Sequence, residues 1–101
     1  EYDDVHRPEY FPRAEIILES GSNAPSGARV LARVLAEGKF PIEQVDIFLN
    51  AEYRGSYKIQ PFEFPVTVEG IPGEEIKITA IVYDNVGNKT TIEKAIRISE
   101  N

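Results

Sequence analysis

The segment Asp84-Asn85-Val86-Gly87-Asn88-Lys89-Thr90 joins two runs of alternating apolar residues, Ile76–Tyr83 before it and Ile92–Ile98 after it. Alternation with a period of two is typical of a strand that buries one face. Gly87 can adopt a positive φ, and the short side chains of Asp84 and Asn88 can bond the backbone of their own loop. The segment therefore predicts a β-hairpin and, with it, an all-β domain.

Working outward from this hairpin, the same alternation and the turn residues between the runs predict about seven short strands. Pro65 cannot donate to a ladder, so part of its strand is expected at a sheet edge or a bulge. Short strands with turn signals every ten residues or so are typical of a two-sheet antiparallel sandwich. Besides the hairpin, the predicted strands cover residues 13–19, 28–36, 43–50, 53–57 and 62–69.

The second of these segments, Ala28–Ala36, fits two periods. Val30, Ala32 and Val34 alternate with arginines, as in a strand. Ala28, Leu31, Ala32 and Leu35 also fit helical spacing, with Ser26 as a cap and Gly38 as a stop. We favour the strand, because all its neighbours are strands and a sandwich needs it.

Alternation also predicts the core. Burying such side chains stabilises a domain by roughly 1.5–3 kcal/mol each, before the loss of conformational entropy is subtracted. The expected inward set is Ile16, Leu18, Val30, Ala32, Val34, Val45, Ile47, Leu49, Phe64, Val66, Ile76, Ile78, Ala80, Val82, Ile96 and Ile98.

Composition excludes several classes of function. The chain has 101 residues and a net charge of −6, which argues against binding to nucleic acid phosphates or to an anionic membrane surface. It has no cysteine, so a disulfide, a cysteine-based zinc site and a thiol nucleophile are impossible. No apolar run approaches the ~20 residues of a membrane span, so membrane insertion is not expected.

Residues 1–12 are charged, contain Pro8 and Pro12, and show no period, which predicts a linker or N-terminal arm before a domain at residues 13–101. Tyr10 and Phe11 of this arm are expected to fold back onto the domain. The chain contains no methionine, so we expect it to be a piece of a longer protein.

Three segments resemble motifs of bacterial immunoglobulin-like domains. Glu43–Asn50 resembles their "V-x-F-Y-V-D-G" strand and turn, Gln60–Phe64 their "P-Y-x-F" segment, and Thr79–Asn88 their "A-x-A-x-D-x-x-G-N" ending. The order and spacing match over about residues 13–98. The chain departs from the family at Asn50-Ala51-Glu52, where Asp-Gly is frequent, and in the helix-like Ala28–Ala36.

The resemblance implies an immunoglobulin-like sandwich of a bacterial exported protein, located in the periplasm, on the cell surface or outside the cell. Such domains serve as spacers, as adhesive modules, or as appendages to hydrolases and cell-wall enzymes. The family has no activity of its own, so the resemblance implies a non-catalytic module. Its partners would be neighbouring domains or another protein. The alternative is a carbohydrate-binding accessory module.

The residue inventory agrees that catalysis is not expected. The one histidine, His6, lies in the predicted arm, which disfavours a Ser-His-Asp arrangement. The paired carboxylates Asp3-Asp4 and Glu74-Glu75 fall in the arm and in a turn. Neither pair is expected in a cleft that would shift the pKa of one carboxyl group away from that of the other. No glycine-rich phosphate loop is present, and no cofactor is expected.

A metal site is a weak alternative for the hairpin loop. Asp84, Asn85 and Asn88 place oxygen ligands together, which calcium accepts. Calcium takes six or more oxygens and usually more than one carboxylate, so we predict a hydrogen-bonded turn and no metal.

The strands that contain Val45 and Val82 carry apolar residues at the outward parity as well. Such a surplus marks an interface more often than a free surface. Three alternatives follow: the arm or a neighbouring domain covers these residues, a protein partner binds them, or the rings stack on a glycan. The candidate binding residues are Phe48, Tyr53, Tyr57, Ile81 and Tyr83.

Overall fold

The computed structural model describes residues 8–100, and residues 1–7 and 101 lie outside the described part. No helix among the described residues is long and apolar enough to cross a membrane. A short 3-10 turn at Pro8–Tyr10 precedes the strands β1 (Arg13–Leu18), β2 (Asn23–Pro25), β3 (Arg29–Glu37), β4 (Ile42–Leu49), β5 (Glu52–Tyr57), β6 (Phe62–Thr67), β7 (Glu75–Asp84) and β8 (Lys89–Ser99).

The strands form two sheets, one of three strands in the order β1-β3-β6 and one of five in the order β2-β8-β7-β4-β5. Neighbours pair antiparallel, except that β2 runs parallel to β8. The predicted all-β sandwich is confirmed. The strand that was not predicted, β2, lies in the turn cluster at residues 20–27, and its three residues are too few to show alternation.

The inner faces of the two sheets form one apolar core. Every residue of the predicted inward set is buried except Leu49, which is half-buried against the core. Leu49 is the last residue of β4, and the exposed turn residues Asn50 and Ala51 follow it. Ala24, Phe62 and Val68 are also buried.

β3 settles the ambiguous segment as a strand. Its hydrogen-bonding edges are occupied on one side by β1 and on the other by β6. Val30, Ala32 and Val34 are buried, whereas Leu31 and Leu35 are exposed, so the helical period does not apply. The tertiary pairing of β3 with two strands overrides the local helix propensity.

β6 is one of the two edge strands of the three-stranded sheet, in agreement with the position expected for Pro65. Pro65 lies opposite Leu31 of β3. The bond between Gln60 and Pro61, just before β6, is cis.

A two-residue turn joins β4 to β5, and both of its residues have positive φ, 50° at Asn50 and 70° at Ala51. Paired positive φ values are typical of the type I′ hairpin turn, which usually has glycine in second place. The Asn50 side-chain oxygen accepts a hydrogen bond from the Lys77 N–H at 2.9 Å. This bond fixes the turn against β7.

The strand period of β3 can be tested on two adjacent residues. We expect Val34→Ala to lower the free energy of unfolding by roughly 1–3 kcal/mol, because it leaves a cavity in a packed core. Leu35→Ala should change it by less than about 0.5 kcal/mol, because Leu35 is 46% exposed. Urea denaturation of both variants measures the difference, and equal losses would contradict the strand period.

Candidate binding surface

Four of the five candidate binding residues lie together on the outer face of the five-stranded sheet. Phe48 lies opposite Tyr53 of β5 and opposite Thr79 of β7, because antiparallel partners share a face. Ile81 and Tyr83 follow along β7 at the same parity. We call Phe48, Tyr53, Ile81 and Tyr83 the outer patch. Tyr53 is 57% exposed and the other three are half-buried.

The structure contradicts the predicted position of Tyr57, which points into the sandwich. Tyr57 lies opposite the buried Val45, and its ring packs 5.9 Å from that of Phe64. The register of β5 against β4 shifts between Ile47 and Phe48, so β5 has one extra residue there. A bulge of one residue reverses the parity, so Tyr53 and Tyr57 lie on opposite faces.

The described part of the arm lies at the β3–β4 turn. The Tyr10 ring meets that of Phe40 edge-on at 6.0 Å, and the Lys39 ammonium lies 4.8 Å from the centre of the Tyr10 ring. Tyr10 therefore folds back onto the domain as predicted, while Phe11 is 38% exposed. The turn at Phe40 and the turn beside Tyr53 are at opposite ends of β4, so Tyr10 does not cover Tyr53. His6 and Asp3-Asp4 lie outside the described residues.

A polar network centred on Asp46 runs beside the outer patch. Oδ1 of Asp46 accepts hydrogen bonds from Gln44 Nε2 at 2.7 Å and from Ser56 Oγ at 2.6 Å. The Ser56 hydroxyl also bonds the Tyr53 hydroxyl at 2.5 Å. Tyr83 bonds the same carboxylate through its side chain. The network therefore links β4, β5 and β7 across the face.

The network favours the carboxylate form of Asp46. Partial burial disfavours the charge, but hydrogen bonds from Ser56, Gln44 and Tyr83 outweigh it, so the pKa of Asp46 is lowered from its usual value. Burial, together with the bond to Asp46 and its negative charge, raises the pKa of Tyr83. At neutral pH the face therefore presents an ionised carboxylate beside a neutral phenol.

A shallow depression of about 370 Å³ continues the outer patch towards β8. Its apolar walls are Phe48 and Ile81, and the ion pair of Lys77 with Glu93 closes one side at 3.4 Å. Ala51 of the strained β4–β5 turn lines the end nearest Tyr53. An apolar side chain from outside would contact both walls.

The hairpin loop forms the turn that the sequence predicts, and Gly87 has φ 93°. Asp84 is 3% exposed and its Oδ1 accepts hydrogen bonds from the N–H groups of Val86 at 3.1 Å and Asn88 at 2.8 Å. Its Oδ2 accepts a third from Asn88 Nδ2 at 2.9 Å. The N–H of Asn85 bonds Pro41 O at 3.0 Å. The candidate ligand oxygens of Asp84 are thus engaged within the turn.

Sequence reasoning missed a second apolar surface, on the outer face of the three-stranded sheet. Ile17, Leu31 and Leu35 are 40%, 37% and 46% exposed there. Once Val30, Ala32 and Val34 are placed inward, parity alone places Leu31 and Leu35 outward. The signal was present, but the same leucines also fitted a helix.

A scan against protein-family models and a search of curated proteins both find no match. Solved structures, in contrast, are similar over most of the chain. Fibronectin(III)-like modules of Clostridium thermocellum CbhA are 20% identical with a TM-score of 0.62, covering 85% of this chain and 98% of theirs. The fold is immunoglobulin-like.

Two further structures show how widely this fold is used. A superoxide reductase (neelaredoxin) from Ignicoccus hospitalis is 16% identical with a TM-score of 0.63, covering 88% of this chain and 80% of its own. The Clostridium perfringens spore cortex lytic enzyme SleM is 16% identical with a TM-score of 0.56, covering 75% of this chain and 28% of its own. Such identities show the fold alone, and membership of the bacterial immunoglobulin-like family stays a prediction.

Asp84 is expected to be structural. Asp84→Ala should lower the free energy of unfolding by about 2–4 kcal/mol, because it leaves buried donors of the turn without an acceptor. Asn85→Ala is the matched control, since Asn85 is exposed. About millimolar calcium should leave the melting temperature of the unmodified chain unchanged. A rise of several degrees would show that the native state binds the ion.

The network on Asp46 predicts a pH-dependent contribution to stability. Because the pKa of Asp46 is below its usual 3.8 in the folded state, the contribution is present above about pH 4 and lost as the pH falls through the folded pKa. The free energy of unfolding of the unmodified chain should therefore exceed that of Asp46→Asn most at neutral pH. Urea denaturation from about pH 2 to 7 measures this. Tyr83→Phe should show a smaller difference with the same trend, and a difference independent of pH would refute the role of the charge.

Proposed function

We propose that the chain is a non-catalytic immunoglobulin-like module of a larger bacterial exported or surface protein, and that it binds a protein through the outer patch. The bound protein is either a neighbouring domain of the same polypeptide or a separate partner. One observation carries the proposal. Apolar side chains remain half-exposed or exposed on β4, β5 and β7, although the inward residues of these strands already supply a complete core.

An apolar face in water has a cost that a binding partner removes. A solvated antiparallel sheet normally carries polar residues on its outer face. Phe48 and Ile81 instead face outward from the centre of the sheet, and the exposed Tyr53 ring meets the Phe48 ring at 5.6 Å. Tyrosine and phenylalanine are enriched at protein interfaces, where they remove large areas from water.

The path of the chain supports a role between neighbouring domains. β1 begins at the end of the sandwich that holds the β3–β4 and β7–β8 turns, and β8 finishes at the opposite end, beside the β4–β5 turn. Segments joined to the two termini of the described chain would therefore lie at opposite ends of the module. This arrangement suits a spacer that also contacts its neighbours.

The similar structures support the module interpretation as an analogy. CbhA contributes modules of this fold, and the match to SleM covers only part of a lytic enzyme. The same fold occurs in a superoxide reductase, so the fold itself does not determine the function. The residue inventory favours a non-catalytic role, because the chain has one histidine and no cysteine.

The alternative is a carbohydrate-binding module, which the proximity of aromatic rings to Asp46, Gln44 and Ser56 favours. Sugar rings stack best on a flat aromatic platform. The rings of Phe48 and Tyr53 are inclined at 62° to each other, so they do not form such a platform. We therefore favour the protein partner.

Hydroxyl-radical footprinting tests the proposal on the isolated chain and on the longer polypeptide that contains it. Phe48, Tyr53 and Tyr83 should react in the isolated chain and be protected in the longer polypeptide or its complex. Phe48→Ser combined with Tyr83→Ser should remove the association and keep the fold. Leu35→Ser is the matched control, because it removes an exposed apolar side chain from the opposite sheet. Equal reactivity of the three rings in both samples would overturn the proposal.

A further inference from the structure

Within residues 8–100, the charge of Asp46 has no cationic partner. Its carboxylate accepts hydrogen bonds from Gln44, Ser56 and Tyr83, which are all neutral. No cation within residues 8–100 pairs with it, whereas Glu93 on the same face pairs with Lys77. A carboxylate can accept about four hydrogen bonds, so Asp46 retains capacity for a further donor.

The surroundings of Asp46 suit a positively charged side chain. Tyr83 bonds the carboxylate directly, and Tyr53 is connected to it through Ser56. Two tyrosine rings therefore lie close to one anion, and aromatic faces attract ammonium and guanidinium groups. Guanidinium fits best, because its planar fork can bond a carboxylate while it stacks on a ring. The net charge of −6 attracts basic partners over a longer range.

An apolar subsite lies one strand step away from this anion. Phe48 follows Asp46 by two residues on β4, which places the two side chains about 7 Å apart on one face. The depression between Phe48 and Ile81 opens at that position. A partner segment in extended conformation also presents every second side chain to one side, and these side chains are likewise about 7 Å apart.

We propose that the outer patch binds an extended protein segment with a basic side chain, preferably arginine, two residues from an apolar one. The arginine bonds Asp46 between Tyr53 and Tyr83, and the apolar side chain enters the depression between Phe48 and Ile81. This inference rests on the proposed function and specifies the chemistry of the partner. It also explains why three neighbouring side chains hold a single carboxylate in place on the face of a sheet.

Blocked pentapeptides that differ at one position can test this with nitrogen-15 NMR on the full chain. The probe peptide carries leucine and arginine two residues apart. A second peptide replaces arginine with citrulline, which keeps the shape and removes the charge, and a third replaces it with glutamate. We expect the arginine peptide to shift the amide signals of β4, β5 and β7 and to bind about tenfold or more tightly than the citrulline peptide.

Two variants separate the specific contact from general attraction. Asp46→Asn should abolish the preference for arginine over citrulline, with circular dichroism confirming that the fold is retained. Glu15→Gln changes the net charge equally, at an exposed position on the three-stranded sheet, and should keep the preference. Raising the salt concentration from about 20 to 500 mM should lower the affinity of the arginine peptide more than that of the citrulline peptide.

The outcomes distinguish this inference from the proposed function. Equal binding of the arginine, citrulline and glutamate peptides, lost in Phe48→Ser, would overturn the arginine assignment and leave the apolar interface in place. Absence of any shift on this face would overturn the inference, while ring protection in the longer polypeptide would still decide the proposed function. Shifts on this face with a soluble oligosaccharide but with no peptide would overturn both in favour of glycan binding.

Discussion

The pairing of β4 with β7 is the constraint on which the rest of the structure depends. In this register Ile47 lies opposite Ala80 and Val45 opposite Val82, so both strands bury the same parity. A slip of β4 by one residue would turn its buried set outward and bring Phe48 into the core, and the same slip of β7 would do so with Ile81. The burial of apolar residues on the inner face fixes this register. The register in turn determines which residues form the outer patch. The binding surface is therefore a consequence of the core.

A single extra residue in β5 then determines the chemistry of that surface. The bulge keeps Tyr53 outward beside Phe48, while it turns Tyr57 inward against Phe64. It also makes Tyr53 and Ser56 neighbours on one face, although they are three residues apart in sequence. Their hydroxyl groups can therefore bond each other, and Ser56 can reach Asp46. Without the bulge, a hydroxyl network across β4 and β5 would need residues of a different spacing.

Strand alternation was sufficient to predict the two-sheet sandwich, nearly all of the core, and four of the five residues placed on the outer face. These features depend on hydrophobic burial, which a local pattern records. Tyr57 was misplaced because a bulge depends on the partner strand and leaves no mark in the alternation. The short strand β2 was missed because its parallel pairing with β8 is a tertiary contact. The network on Asp46 depends on register between three strands, so sequence inspection did not reveal it.

The two exposed apolar faces differ in their electrostatics, and this difference decides which of them can be assigned a partner. On the three-stranded sheet, Arg33 lies opposite Ile17 and is paired with Glu63, its Nε donating to the carboxylate at 2.7 Å. Its charge is compensated within the chain, and the face gives no chemical preference for a partner. On the five-stranded sheet, the only donors to the Asp46 carboxylate among residues 8–100 are neutral. Burying this carboxylate under a neutral partner costs free energy of desolvation. A basic partner offsets that cost, because its positive charge pairs with the carboxylate. Both faces carry exposed apolar side chains. The charge of Asp46 favours a basic partner on the five-stranded sheet, whereas the three-stranded sheet shows no such preference.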